Sequence, residues 1–468
     1  MIAMPLATVA LGVDTLLPAG GESVTVTRVT IDSRDVLPGD LFVAIDGQRF
    51  DGHDFVLQAI EKGAAACLVT EAWYHKQLEK PNYPCLLVDD TTTALGTLAT
   101  YYRCEVMTPT TVVIAITGSN GKTTTKRMID HVLGDAMPGR AALKSFNNHI
   151  GVPLTLLSAE AQDRYLVIEI GTNSPGEVAA LSAMTKPDIG VLTSIGFAHL
   201  EGLGGIEGIT TEKFSMFDHV RRGGMGVINI DGPVTLDRLR RLERLRLMTF
   251  GFDESAELRI ENMTDSVQRS AFTLDRQYRI ELSMPGGHHA TNAAAAFAVA
   301  RWFGLDPAQI ILRLVSYRPA SGRCRVVEAG QVTMVDDSYN ANPSSMAAAI
   351  ASMSLANCSR RVFVMGDMRE LGQDSADFHE QMVRQAADAG IHLLVVVGEL
   401  AVEASIATAG LTGDMRVIAC QDATLAAAAL RGLLRAGDLV WIKGSRAVGL
   451  DKLVEPLREQ WHQPIAVA

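Results

Sequence analysis

The chain has 468 residues, enough for two to four domains, and its 47% hydrophobic and 20% charged content is that of an ordinary folded protein. Its 42 Lys and Arg against 53 Asp and Glu give a net charge of −11. That balance excludes general nucleic-acid binding but leaves room for anionic substrates held by local cations.

The first residues, M-I-A-M-P-L-A-T-V-A-L-G-V-D, lack a basic segment and are broken by Asp14, so they make a poor signal peptide. No run of 18 apolar residues occurs, and no membrane span is expected. The six cysteines, at 67, 85, 104, 324, 358 and 420, show no C-x-x-C spacing. They point neither to a zinc site nor to a disulfide framework, and read as buried thiols in a reducing compartment, the cytoplasm.

Residues 1–108 read as a small α/β domain, with strands at Val24–Ile31, Leu41–Ile45, Ala66–Val69 and Cys85–Val88 and a helix over Asp54–Lys62. Asp32-Ser33-Arg34 directly follows a strand. It suits a plain turn or, through Ser33 and Arg34, a phosphate contact.

Residues 109–319 form the expected central domain. Val112 to Ile116 is a short β-branched apolar run, the pattern of a buried strand. Gly118, Ser119, Asn120 and Gly121 make a turn, and Lys122 opens a helix with Met128, Ile129, Val132 and Leu133 on its apolar face. Strand, glycine turn, lysine, hydroxyl and helix is an arrangement that cradles phosphates. Backbone N–H groups face the anion, Lys122 reaches the terminal phosphates, and Thr123 and Thr124 offer hydroxyls, Thr123 to Mg²⁺. Ile116 stands where a standard phosphate loop has its first glycine, so this loop is shorter. A solvated lysine on an ordinary strand–helix turn is the alternative.

Tyr165 to Ile170 is a second buried strand, with Glu169 near its carboxyl end. A carboxylate in a core run is costly unless paired or metal-bound, and ligands bind at such strand ends. Glu169 is therefore a Mg²⁺ ligand candidate. Ile189 to Ile195 is a third strand, and His199 lies four residues beyond it, placed for a metal or for a structural role. In the next helix Ile206, Ile209, Phe217 and Val220 share a face with Lys213. That lysine either snorkels outward or is desolvated, with a lowered pKa. Residues 247–284 read as an antiparallel hairpin region, and Asn292 stands where it could cap an alanine-rich helix.

Residues 320–468 alternate strands (Val332–Asp336, Val362–Met365, Leu393–Val397, Val417–Ala419, Leu439–Ile442) with helices, the pattern of a doubly wound, Rossmann-like parallel sheet. Gly366-Asp-Met-Arg-Glu-Leu-Gly372 and Lys443-Gly-Ser-Arg446 sit at carboxyl ends of two strands.

The loop T-G-S-N-G-K-T-T-T resembles that of the Mur ligases of peptidoglycan synthesis and their relative folylpolyglutamate synthase. Ile31 to Phe55 resembles the UDP-binding domain of the Mur ligases that add the third and fourth units, a domain the folate enzyme lacks. N-N-x-I-G-V-P-L-T from Asn147, with His149 where many relatives carry Glu, G-x-N-x-P-G-E from Gly171, D-S-Y-N-A-N-P from Asp337, G-D-M-x-E-L-G and K-G-S-R resemble motifs of the D-alanyl-D-alanine-adding branch. The resemblance spans three domains. It implies that Ser33 and Arg34 lie near UDP, and that Asn147, Asn148, Thr172, Asn173, Asn340, Asn342, Lys443, Ser445 and Arg446 face substrate. It implies an ATP site of Gly118 to Thr124 with Asn292 at adenine, Arg323 at the phosphates and Asp337 at ribose. A carbamylated Lys213 would join Glu169 and His199 around a second Mg²⁺.

The implied reaction is ATP-dependent joining of D-alanyl-D-alanine to UDP-N-acetylmuramoyl-tripeptide through an acyl phosphate, by a monomer. A ligase adding a single amino acid and a non-catalytic nucleotide-binding protein are the rivals. Retention of Lys122, Thr123, Glu169, His199 and Lys213 together argues against loss of catalysis.

Overall fold

The structure is a computed structural model that describes residues 1–77, 83–143, 145–198, 200–234 and 236–462. Three large sheets follow one another along the chain. The first is four-stranded and parallel, in the order Arg28–Thr30, Asp40–Val43, Ala66–Thr70, Cys85–Val88. Successive side chains of a strand point to opposite faces, and the residues sort accordingly. Phe42, Ala44, Cys67 and Val69 pack with Val56 and Ala59 of the helix Val56–Glu61. Leu41, Val43, Ala66 and Leu68 join a core that runs through the helix Thr91–Tyr101 into the next domain. The helix expected over 54–62 is split, because Asp51 accepts from the His53 amide and starts a 3-10 turn at Gly52–Phe55.

The central sheet has nine strands, and the phosphate-loop strand Val112–Thr117 lies between Tyr165–Glu169 and Ile189–Leu192, parallel to both. The chain first builds the edge beyond Tyr165–Glu169, at Gly139–Ala141, and then crosses to the other side of Val112–Thr117. The loop after Val112–Thr117 therefore sits where the strand order reverses, the place where open α/β sheets bind ligands. The strand expected to reach Ile195 stops at Leu192. Beyond it the Thr193 amide still donates to Thr117 O at the end of the neighbouring strand, while Thr193 Oγ1 and Ser194 bond to the phosphate loop. Met225–Asn229, unanticipated from the sequence, and Arg246–Gly251 extend the sheet in parallel, so the first part of the region expected from 247 as an antiparallel hairpin is instead a parallel strand, held by parallel neighbours on both sides. The expected hairpin region, Leu258–Asp265, Ser270–Leu274 and Tyr278–Leu282, is antiparallel and closes the edge. The helices Lys122–Leu133 and His288–Trp302 pack against one another over one face.

The third sheet has the order Arg325–Ala329, Val332–Asp337, Asp438–Lys443, Arg360–Gly366, Leu393–Val397, Arg416–Cys420. It is parallel apart from its first, antiparallel edge strand. Among the described residues no helix is long and apolar enough to cross a membrane.

Candidate functional site

The phosphate loop is pinched between a strand end and a helix. Gly121 has φ +85°, and a Cβ there would lie 2.3 Å from Asn292 Oδ1. Gly118 has φ +150°, and a Cβ would lie 2.0 Å from Thr193 Oγ1. Only glycine fits either position. The Ser119 and Asn120 amides donate to Ser194 O and Ser194 Oγ, and Ser119 Oγ donates to Gly196 O. The first intrahelical bond runs from the Thr125 amide to Gly121 O. The amides of Lys122, Thr123 and Thr124 thus open the helix at the cleft, as an anion site requires. Lys122 Nζ folds back onto Gly118 O at 2.6 Å. Burial lowers its pKa, opposed by Glu169.

Glu169 ends its strand beside Ile116 and is 2% exposed. Its carboxylate accepts from Thr123 Oγ1 at 2.9 Å and from Asn147 Nδ2 at 3.0 Å, and lies 3.4 Å from Lys126 Nζ. The buried acid is therefore paired. Lys126 was not anticipated. It is as buried as its partner, and burial lowers its pKa against the pull of Glu169. Its only sequence signal is its place one turn along the loop helix from Lys122. The Thr123 hydroxyl and Glu169 carboxylate are hard oxygen donors side by side on the cleft wall, a set that fits Mg²⁺.

Lys213 is 1% exposed on the helix Ile206–Asp218, so it does not snorkel. Burial, with a smaller push from Lys122, lowers its pKa to about 7, against the pull of Glu212. The fold thus brings Lys213 near Lys122. His199 lies outside the described residues, as does Lys144 of the Asn147 segment. The neighbouring Glu212, which sequence reasoning passed over, accepts from the Gly176 and Val178 amides and from Thr172 Oγ1. It ties the 171–177 loop and the first turn of the helix Glu177–Thr185 to the helix bearing Lys213.

The opposite wall comes from the third domain. Parallel register sets Asp337 beside Lys443 at the carboxyl ends of their strands, and Lys443 Nζ donates to Asp337 Oδ2 at 2.6 Å and to Asn340 O at 3.1 Å. Ser445 Oγ accepts from the Arg369 amide, which interlocks the two C-terminal motifs. Asp336, buried and also missed, accepts from Ser321 Oγ, the Gly322 amide and Ser338 Oγ. It fixes the turn that carries Arg323. The Arg323 guanidinium lies 3.8 Å over the Tyr339 ring and donates to Thr123 Oγ1. Asn292 does not cap its helix. It lies one turn inside it, where Oδ1 accepts from Thr125 Oγ1.

Loop and third domain touch directly. Asn342 Nδ2 donates to Asn120 Oδ1 at 2.8 Å, with the reciprocal contact at 3.3 Å, and Tyr339 donates to Ser145 Oγ. Between the walls is a cleft of about 490 Å³. It is lined by Ser119 to Thr124, Asn147, Glu169, Asn292, Arg323, Asp337, Asn340, Asn342, Lys443, Ser445 and Arg446. This volume suits a nucleotide-sized ligand.

Other expected residues stand apart from this cleft. Ser33 donates to Gln58 Oε1, and the exposed Arg34 pairs with Asp32, whose carboxyl is held down to about 2 mainly by that hydrogen bond. The Asn148 side chain accepts from the Ile150 and Gly151 amides at a helix start. Thr172 and Asn173 bond within their own loop and to Glu212 and Glu177.

Three family models match in order along the chain. They are the Mur ligase family catalytic domain at 25–103, the Mur ligase middle domain at 116–300 and the Mur ligase glutamate ligase domain at 322–446. The chain is 33% identical over 444 residues to the UDP-N-acetylmuramoyl-tripeptide–D-alanyl-D-alanine ligase of Bacillus subtilis (strain 168), covering 94% of each. It is similar to crystalline MurF from Acinetobacter baumannii, with TM-score 0.87, 29% identity and coverage of 98% and 99%. It is also similar to MurF ligase from Thermotoga maritima in complex with ADP, with TM-score 0.80, 28% identity and coverage of 93% and 97%. By its domains, its cleft and these likenesses, the chain belongs to the Mur ligase family.

Proposed function

We propose that the chain is an ATP-dependent ligase that joins D-alanyl-D-alanine to UDP-N-acetylmuramoyl-tripeptide in peptidoglycan synthesis. The observation that carries this reading is the convergence of Lys122, Thr123, Glu169, Arg323 and Asp337 on one cleft. The relative that covers nearly the whole chain at 33% identity bears that activity in its name.

The reaction needs two displacements. The terminal carboxylate of the tripeptide attacks the γ-phosphorus of ATP, and ADP leaves. The dipeptide amine then attacks the acyl-phosphate carbonyl carbon, phosphate leaves, and the amine loses a proton. Negative charge accumulates in the first step, and fixed cations and amides stabilise it. Lys122, Arg323 and the helix N-terminal amides do so here, and Asn292 and Asp337 hold adenine and ribose. Mg²⁺ held by Thr123 and Glu169 would add charge neutralisation on the phosphates. Lys126 offsets the Glu169 charge and keeps its carboxylate aimed at the cleft. Alignment of donor and acceptor can lower such barriers by roughly 7–11 kcal/mol.

Lys213, with a pKa of about 7, offers a neutral amine for addition to CO₂. The resulting carbamate, with His199, would hold a second Mg²⁺. UDP is assigned to Ser33 and Arg34 on the first domain, with the muropeptide crossing to Asn147 and the 171–177 loop. Free UDP cannot replace the tripeptide-bearing substrate, because the attacking group is the tripeptide's carboxylate. All six cysteines are free, which supports a cytoplasmic setting.

The test is mass spectrometry of UDP-N-acetylmuramoyl-tripeptide incubated with ATP, Mg²⁺ and D-alanyl-D-alanine. The expected product has the mass of UDP-N-acetylmuramoyl-tripeptide plus D-alanyl-D-alanine less one water. ATP hydrolysis without that product would contradict it.

A further inference from the structure

The inner wall of the cleft holds three side chains for which the reaction above has no use. His288 and His289 open the helix His288–Trp302, and Cys324 follows Arg323 in the turn between domains. The two imidazole centroids are 4.0 Å apart, and Cys324 Sγ lies 3.8 Å from His288 Nε2. One ligand atom from each of the three lies within 4.8 Å of the others. Cysteine spacing along the chain gave no hint of this, because the fold brings Cys324 to a histidine pair 35 residues away by number, across a domain boundary.

Two nitrogens of the pair are orphaned. His288 Nδ1 and His289 Nε2 are buried without a hydrogen-bond partner, and His289 is 3% and Cys324 1% exposed. Buried polar atoms are nearly always satisfied, so orphans in one small cluster point to a missing ligand. Burial also keeps both imidazoles neutral, with His288 lowered to about 4, and neutral imidazole is the metal-binding form. His289 Nδ1 is 3.2 Å from the Asn292 amide. With that amide turned, its oxygen accepts Nδ1–H, its nitrogen faces Thr125 Oγ1 in place of the oxygen, and the Nε2 lone pair is left free. Burial, with Asp337 beside it, holds the Cys324 thiol pKa well above its usual value, so the metal–sulfur bond must offset that cost, and Lys443 and Arg323 are the cations that oppose a metal there.

We propose that His288, His289 and Cys324 bind a thiophilic divalent cation of the zinc class, and that the bound ion excludes nucleotide from the cleft. Two imidazoles and a thiolate with a fourth position open to the cleft match the donors zinc takes. Binding displaces the thiol proton to solvent, and the thiolate sulfur forms the metal bond. The exclusion of nucleotide rests on the function proposed above, since Asn292, Arg323 and Asp337 line the same space. The binding of the ion does not.

The experiment is titration of the full chain with CoCl₂, followed by thiolate-to-cobalt charge-transfer absorption in the near ultraviolet and displacement by ZnCl₂. The expected result is a band that saturates with a single ion per chain and is absent from both Cys324→Ser and Cys324→Ala, whose folding is checked by thermal melting. His289→Asn weakens binding by roughly tenfold or more. In the ADP-release assay at saturating Mg²⁺, zinc inhibits competitively with ATP. The inhibitory concentration rises by a similar factor in each variant relative to its own zinc-free rate. No band, or a band that survives Cys324→Ser, overturns the site. A band without zinc inhibition of an active enzyme overturns the exclusion. A chain that binds cobalt but releases no ADP refutes the ligase reading and leaves the metal site standing.

Discussion

Glu169 shows how few residues shape the cleft wall. Donors from the loop helix and from the Asn147 segment meet on one carboxylate at a strand end. Lys122, Thr123 and Glu169 were legible in the sequence because each belongs to a local pattern: a glycine turn before a helix, and a charge in an apolar run. Lys126 was not, since its burial depends on Glu169, which arrives from another strand. Lys122→Met is expected to lower kcat by roughly 10²–10³-fold, the usual effect of losing one donor to developing charge, with the far-ultraviolet circular dichroism unchanged. A rate within twofold or so of the parent would contradict its role.

Lys213 carries a pH signature. Unfolded, it keeps its proton up to about 10.5, and folded it loses it above about 7. Below about 7 both states are protonated and the cost of the buried charge is fully present. Between those values the unfolded state binds more protons, so stability rises with pH. In CO₂-free buffer, denaturant titrations should show the parent gaining about 1.4 kcal/mol per pH unit relative to Lys213→Met from pH 7 towards 10. A flat difference would mean that the amine is not desolvated.

Among elements, the 171–177 loop depends on Glu212, which reaches it from a different helix. Glu212→Ala leaves the buried Val178 amide and the part-buried Gly176 amide without an acceptor and is expected to cost roughly 1–3 kcal/mol by chemical denaturation. Loss of under about 0.5 kcal/mol, the range of an ordinary surface change, would refute that role. No local pattern marks Glu212, because its partners lie more than 30 residues away. The strands rich in β-branched residues were readable, including Val112–Thr117 and Leu393–Val397. Met225–Asn229 and the parallel pairing of Arg246–Gly251 were not. Each carries glycine and polar residues, and each is held as a strand by neighbours on both sides. Asn292 suits a cap by residue type, but it follows the first turn of its helix and so cannot act as one. The helix begins at His288, and Asn292 faces Gly121 and Thr125.

At the scale of the molecule, the cleft exists because the third domain rests on the phosphate loop through Asn120–Asn342, Arg323–Thr123 and Tyr339–Ser145. The family motifs named the residues, but the pairing of loop and domain is a product of tertiary structure. Asn342→Ala removes the amide pair and a helix cap together. Small-angle scattering should then show a larger radius of gyration for the variant, with the gap narrowed by an ATP analogue and UDP-N-acetylmuramoyl-tripeptide. Identical curves for both proteins would argue that this contact does not hold the domain closed.

The central claim is that this cleft drives one specific ligation. It is tested most directly by ADP release with UDP-N-acetylmuramoyl-tripeptide, ATP and Mg²⁺, supplying D-alanyl-D-alanine, diaminopimelate or glutamate in turn. Turnover with D-alanyl-D-alanine alone is the predicted result. Turnover with a single amino acid, or with none of the three despite ATP binding, would contradict it.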